Sequence, residues 1–496
     1  MAATSIFRPV REILLLMTLV ISGLSLPGAS SARDLPVVRP AMACADLAQR
    51  DIAPPGEVPA RIITARVVSE GVVAPYCEVR GYVAPQVRFE LRLPTENWMQ
   101  RLMYSGCGGF CGRVDFRIRA AEGCATVENG EFALVASDLG HDAPDGNANT
   151  VWAANNPQGK ADYGYRGVHV VTVTAKAIIA MYYGQQQQYA YFNGCSDGGR
   201  EGLMEAQRYP GDFDGIIAGA PVMNATMNNS LFHLWNAHHG RRPDGRPMFS
   251  EADLVVLHDA ALAACDTVGD GEADGIVGDP GRCRFDPQVV ACTAARSTAC
   301  LNAEQVAAAR AMYAGPLDET GSPLYFGRPV GSELSWGGRD YEPMAAGFIR
   351  YMAGEGILPY ERGAVTFDRA SAELYNAMAP VYNSTSPDLD AFRAGGGRLI
   401  LWHGWGDSGV PPEGTVNYYR QLQARYGRQA DDLVQLYMLP GVGHCGGGEG
   451  PDLVNLVDQI VAWVEDGQQP GSVQAVRKVY GRVVDDRAMA PYAPAS

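Results

Sequence analysis

Ser196 is the central residue of Gly194-Cys195-Ser196-Asp197-Gly198, a G-x-S-x-G frame inside FNGCSDGGREG (192–202). A serine hydroxyl is a weak nucleophile until a base takes its proton, and that base needs an acid to fix its tautomer. Where such a serine sits on a strand-to-helix turn, the acid and then the histidine follow in the chain, each just past a later strand. LILWHGWGDSGVPP (399–412) places Asp407 after one apolar run, and LYMLPGVGHCGGG (436–448) places His444 after the next. Of the eight histidines, His141 precedes the serine and would break this order. His403 precedes the acid, within or at the end of a strand, and reads as structural. Asp407 stands before Ser-Gly, a setting in which an aspartate can also serve only to form a turn.

Attack on a carbonyl leaves negative charge on its oxygen, which two backbone amides usually hold. One is expected from Asp197. The other is expected from the glycine-rich YSGCGGFCG (104–112), with Gly108 or Gly109 as donor, although glycines are also the default residues of a plain turn. Small residues at 194 and 198 suit a tight elbow, because side chains there would meet neighbouring backbone.

These residues need elements to carry them. ARIITARVV, VRFELRLP, RLMYSG and EFALVASDLGH read as short strands between 59 and 140. HVVTVTAKAIIAMYYG then turns to helical spacing, QYAYFNG is a strand ending beside the serine, and REGLMEAQRYP is the helix after it. DFDGIIAGAPV, GGRLILWHGWGD and LVQLYMLPGVGHC repeat the apolar-strand design. Strands alternating with helices predict an α/β fold with a mainly parallel sheet covered on both faces. The rhythm fails between 222 and 392, which holds NATMNNS, GRRPDGRP, four cysteines and the acidic CDTVGDGEADGIVGDPGRC. That shift predicts a lid domain at 222–392, inserted between two parts of one domain at 33–221 and 393–496.

Arg8 and Arg11 precede an apolar run from Ile13 to Leu26, with Ser30 and Ala32 at cleavage-like spacing, so 1–32 is expected to be a signal peptide. A retained N-terminal anchor is the alternative. No later stretch approaches 18 uninterrupted apolar residues, so no membrane span is expected after cleavage. Export to a secreted or periplasmic location makes the eleven cysteines candidates for disulfides. Their odd number leaves at least one unpaired within the chain. A net charge of −15 argues against nucleic acid and anionic membranes as partners, because both would be repelled. The sequence specifies no oligomeric state.

Cys195-Ser196, Asp407 and His444-Cys445 together resemble the CS-D-HC motif of the tannase and feruloyl esterase family, and the resemblance runs over nearly all the mature chain. It implies an α/β-hydrolase fold with a lid and a serine esterase acting on small esters of aromatic acids, such as feruloyl, galloyl or terephthalate monoesters. It also implies a Cys195–Cys445 bridge, tying the backbone beside the nucleophile to that beside the base. Cys195 itself is disfavoured as nucleophile, because the elbow presents its central residue. By the same resemblance Cys265 pairs with Cys283, Cys292 with Cys300, and Cys44 with Cys77. Cys107, Cys111 and Cys124 remain, one pair among them leaving an odd thiol, and this cluster beside the glycine-rich loop departs from the family pattern.

The family carries a lid calcium site, which DGEADGI (270–276) resembles. Asp270 and Asp274 would be side-chain ligands, Glu272 and Ile276 carbonyl donors, and Asp266 the upstream ligand, one residue further off than the family's usual spacing. An EF-hand is disfavoured: Asp270, Glu272, Asp274 and Gly275 fit its positions, but Gly281 stands where the bidentate glutamate belongs. SELSWGGRDYEPM offers Trp336, Arg339 and Tyr341 to an aromatic-acid pocket, or equally to the lid's own core and surface. A secreted, calcium-stabilised binding protein on an inactive hydrolase scaffold is the reading from another class, and the intact order of Ser196, Asp407 and His444 stands against it.

Overall fold

The computed structural model describes residues 1, 35–52, 59–116, 118, 127, 129–143, 148–338 and 340–493. The leader expected at 1–32, apart from Met1, and also Cys124 and Arg339, fall outside them.

Nine strands form the main sheet: β1 (Ala60–Val68), β2 (Tyr76–Val83), β3 (Val87–Pro94), β4 (Arg101–Ser105), β5 (Phe132–Ser137), β6 (Tyr189–Cys195), β7 (Gly215–Gly219), β8 (Arg398–Gly404) and β9 (Val434–Leu439). Their order is β1-β2-β3-β5-β4-β6-β7-β8-β9. The first four neighbours are antiparallel, and every pairing from β5 onward is parallel. β2 adds to the strands expected from sequence. It carries Glu78 and Arg80 into a run of cross-strand ion pairs, Arg66 to Glu78 at 2.9 Å and Arg80 to Glu90 at 3.0 Å, so its hydrophobic alternation is interrupted by charge.

The central strands are apolar on both sides because both faces are covered. Phe192, Ile216 and Leu401 join one core with residues of helices α1 (Gly167–Tyr183) and α2 (Asp197–Arg208). Tyr191, Ile217 and Ile400 join another, formed with Val457 and Ile460 near the C-terminus. That second face also carries a small antiparallel sheet, β10 (Leu453–Val454), β11 (Val473–Val479) and β12 (Arg482–Met489).

Between β7 and β8 the described residues add no strand to the main sheet. They form helices, among them α3 (His233–His239), α4 (Glu251–Cys265) and α5 (Ala303–Ala314). Leu254 and Leu257 of α4 pack with Val306 and Ala309 of α5 and with Trp336 in a separate core, stapled by Cys265–Cys283 and Cys292–Cys300. Among the described residues no helix is long and apolar enough to cross a membrane.

Parallel pairing brings strand ends together. Ser105 lies opposite Asn193, Cys195 opposite Gly219, Gly219 opposite Trp402, and Gly404 opposite Leu439. The loops after β4, β6, β8 and β9 therefore leave the sheet along one edge, where α/β proteins place their ligands.

Candidate active site

Ser196 joins β6 to α2 at φ 67° and ψ −119°, a conformation that costs a non-glycine residue about 1–3 kcal/mol. The surroundings fix it: its N–H donates to the Gly219 carbonyl at 2.9 Å, and its own carbonyl accepts from Val222 at 3.1 Å. The turn closes so tightly that a Cβ on Gly194 would lie 2.7 Å from the Gly198 backbone, and one on Gly198 would lie 2.9 Å from the Cys107 carbonyl oxygen. The glycine frame is thus a packing requirement.

The His444 ring stands between the other two residues. Its Nε2 is 2.7 Å from Ser196 Oγ and its Nδ1 is 2.6 Å from Asp407 Oδ2. Asp407 is fully buried. Its Oδ1 accepts the backbone N–H groups of Gly409 and Val410, both at 2.9 Å. Its Oδ2 also lies 3.1 Å from His403 Nε2. Burial alone would raise this carboxyl, but the His444 charge and hydrogen bonds from His403 and His444 outweigh it and hold the group well below the usual carboxylate range. His403 is buried too, with Nδ1 2.8 Å from Thr415 Oγ1. It belongs to the site as the residue that steadies the acid, a role invisible in the sequence because Thr415 and Asp407 meet it only in the fold.

His141 is elsewhere. Its ring is buried against Trp152 at 3.8 Å, with Nε2 2.6 Å from the Phe110 carbonyl, and burial lowers its pKa to about 4. It props the glycine-rich loop from behind.

That loop, after β4, reaches the serine. Gly106, Cys107, Gly108 and Gly109 line the same cavity of about 500 Å³ as Ser196, Asp197, His444 and Cys445. Asp197 opens α2, where an N–H has no acceptor one turn back. Its carboxylate is engaged away from the serine, accepting Tyr163 Oη at 2.7 Å and Arg200 Nε at 2.6 Å. Cys107 and Cys111 are joined to each other, across Gly108 and Gly109. Their bridge lies against Glu201, with Cys107 Sγ 2.7 Å from Oε1, a carboxyl pushed well up first by burial and then by Asp197.

Cys195 and Cys445 are also bonded, as are Cys44 and Cys77. The first bridge brackets the reacting groups, one residue before Ser196 and one after His444. The inserted segment closes the cavity with Asn229, His233, Tyr341 and Met344. Trp336 instead stands in the insertion's own core. A larger groove of about 1030 Å³ near Arg88 and His141 contains none of Ser196, Asp407 and His444.

The acidic loop is partly gathered. Asp266 Oδ1 accepts the N–H groups of Gly275 and Ile276 at 2.9 and 3.1 Å, and Asp274 Oδ1 accepts that of Ile276 at 3.0 Å. Asp270 caps the Glu272 amide at 3.1 Å, and Arg487 donates to Asp274 Oδ2 at 2.7 Å. These oxygens suit a hard cation in type, with Arg487 competing for one of them. Among the described residues, side-chain donors already within 4.8 Å of one another occur in two other places: Cys107, Cys111, Asp197 and Glu201, and His169, Glu205 and Asp212. In the first, the two sulfurs are joined in a disulfide and Asp197 is paired with Arg200.

Residues 66–495 match the family described as tannase and feruloyl esterase. An uncharacterized esterase of Xanthomonas campestris pv. campestris is 33% identical, over 88% of this chain and 84% of its own. The mono(2-hydroxyethyl) terephthalate hydrolase of Piscinibacter sakaiensis is 31% identical, over 86% and 82%. The crystal structure of feruloyl esterase B from Aspergillus oryzae superposes with a TM-score of 0.79 at 25% identity, covering 91% of this chain and 97% of that one. With the strand order, the disulfides and this match over most of its length, the chain belongs to the tannase and feruloyl esterase family and is a carboxylic ester hydrolase of the α/β-hydrolase type.

Proposed function

We propose that the protein is an exported serine esterase that cleaves esters of aromatic acids through an acyl-enzyme on Ser196. The observation that carries this reading is the continuous contact from Asp407 through His444 to Ser196, at 2.6 and 2.7 Å. His444 Nε2 takes the Ser196 proton as Oγ attacks the ester carbonyl, while Asp407 holds the ring by Nδ1 and stabilises its positive charge. The amides of Asp197 and Gly108 hold the oxyanion. His444 then returns the proton to the departing alcohol, leaving the acyl group on Ser196. Water, deprotonated by the same imidazole, releases the acid.

The 222–392 insertion acts as the lid, its Tyr341 and Met344 lining the cavity that holds Ser196. Calcium bound by Asp266, Asp270 and Asp274, with the carbonyls of Glu272 and Ile276, would stabilise that lid without touching the reaction. Five disulfides support an oxidising, extracytoplasmic location.

Hydrolysis of methyl ferulate, methyl gallate and a terephthalate monoester, compared between wild type and a folded Ser196→Ala variant, tests the proposal. Turnover of at least one, lost in the variant, is expected. A wild type inert toward all three, or a variant as active as wild type, contradicts it and favours a binding protein or another nucleophile.

A further inference from the structure

Arg328, in the insertion, is only 6% exposed, and its Nε and Nη1 are buried without a hydrogen-bond partner among the described residues. The guanidinium stands 5.5 Å from the Trp336 ring. Among the described residues no carboxylate forms an ion pair with it, and the one titratable group that favours its charge is Tyr341. Other buried arginines are served differently: Arg101 is held by Glu465 and Arg200 by Asp197. A buried cation without a partner is costly, and such a group persists where something outside the chain brings the anion.

The guanidinium lines a recess of about 210 Å³ that also contains Phe249, Leu254 and Trp336. His233, Asp340 and Tyr341 line both this recess and the cavity holding Ser196. His233 and Tyr341 are stacked with ring centres 4.4 Å apart, and His233 feels the charge of Arg328 as well as those of His444 and Asp407. The recess therefore adjoins the reaction site behind one aromatic pair. At its rim Asp340 is neutralised by Arg241, so the Arg328 charge is left uncompensated.

We infer that the Arg328 recess is an anion subsite of the active site, receiving a carboxylate carried on the ester substrate beyond the scissile bond. This rests on the esterase reading above and narrows its substrate class. Phe249, Leu254 and Trp336 offer apolar contact to the substrate's ring or chain, and the guanidinium donates to both carboxylate oxygens. His233 Nδ1 and Asn236 Oδ1, buried acceptors also without partners among the described residues, leave places for an ordered water beside the anion.

Matched ester pairs test it: monomethyl terephthalate against methyl 4-methylbenzoate, and the cinnamoyl methyl ester of 4-carboxycinnamic acid against methyl 4-methylcinnamate. In the wild type, kcat/KM should favour the carboxylate member of at least one pair by about 10- to 100-fold, the scale of a hydrogen bond to a charged group. The ratio should fall toward one in Arg328→Met. That variant should melt higher than wild type without ligand, and terephthalate should raise the Tm of wild type only. Hydrolysis of the neutral esters with ratios near one in both pairs, or a ratio unchanged in Arg328→Met, overturns the inference and leaves the esterase reading intact. No hydrolysis of any of the four overturns both. If Arg328→Met does not fold, Arg328→Gln and competitive inhibition of wild type decide: inhibition of neutral-ester turnover by terephthalate no stronger than by 4-methylbenzoate overturns the inference.

Discussion

Replacing Cys195 and Cys445 together by alanine should lower both stability and turnover, by separable amounts. The bridge spans 250 residues, for which the chain-entropy relation gives about 5.5 kcal/mol at 25 °C. The two bridges nested inside it, spanning 18 and 8 residues, shorten the closed loop little, because the dependence is logarithmic. The kinetic effect comes from position. Cys195 and Cys445 immediately adjoin Ser196 and His444, and their Cα atoms are 6.0 Å apart, so the bond limits how far the hydroxyl and imidazole can separate. Asp407 still holds the His444 ring in the variant, so the loss is partial. A drift of about 1 Å in the 2.7 Å contact corresponds to roughly 100-fold in rate. The assay is kcat and KM on an aryl ester, beside a guanidinium unfolding curve. A kcat lower by roughly 10- to 100-fold with KM nearly unchanged is expected, together with a lower unfolding midpoint. Wild-type kcat and midpoint in the variant would refute the reasoning.

His403→Phe removes one of the hydrogen bonds that keep Asp407 ionised, so kcat should fall about tenfold and the acid limb of the pH–rate profile should move to higher pH; an unchanged profile would make His403 merely structural. His258 bridges Glu333 at 2.8 Å and Glu449 at 3.3 Å; burial opposes its charge, but the two glutamates prevail and raise its pKa from 6.5 to about 9. A raised folded-state pKa stabilises fully below the unfolded value and is lost as pH rises, so stability should decline between pH 6.5 and about 9. The decline is at most about 3 kcal/mol, reduced by solvent screening at the half-exposed Glu449, and its absence from wild type, or its survival in His258→Gln, would count against the bridge. Chelation should lower Tm, with recovery on adding calcium and no response in Asp270→Asn/Asp274→Asn; identical melting with chelator and with calcium would remove the proposed lid ion.

Ser196, Asp407 and His444 could be found in the sequence because each ends an apolar run, and parallel pairing converts that shared local position into a shared edge of the sheet. The elbow was legible for the same reason, its glycines being dictated by backbone contact within a few residues. Relations that rest on how side chains meet in the fold, whatever their separation in the chain, were not legible. Thr415 beside His403 leaves no trace in spacing. The partner of Cys107 emerges only once the loop turns back on itself to bring Cys111 within bonding reach. β2 hides its strand character behind Glu78 and Arg80, whose charges are satisfied across the sheet. Arg328 looks like any surface arginine until the insertion folds over it. The aromatics between β7 and β8 divide for a similar reason, Tyr341 lining the cavity that holds Ser196 and Trp336 standing in that segment's own core.

The central claim is that Ser196 attacks the ester with His444 as its base. Trapping with a serine-directed aryl phosphonate, followed by peptide mass spectrometry, tests it most directly. One adduct per chain on the peptide bearing Ser196 is expected, forming far more slowly in a folded His444→Ala variant. Turnover of the ester without any label at Ser196, or labelling equally fast in the histidine variant, would contradict it.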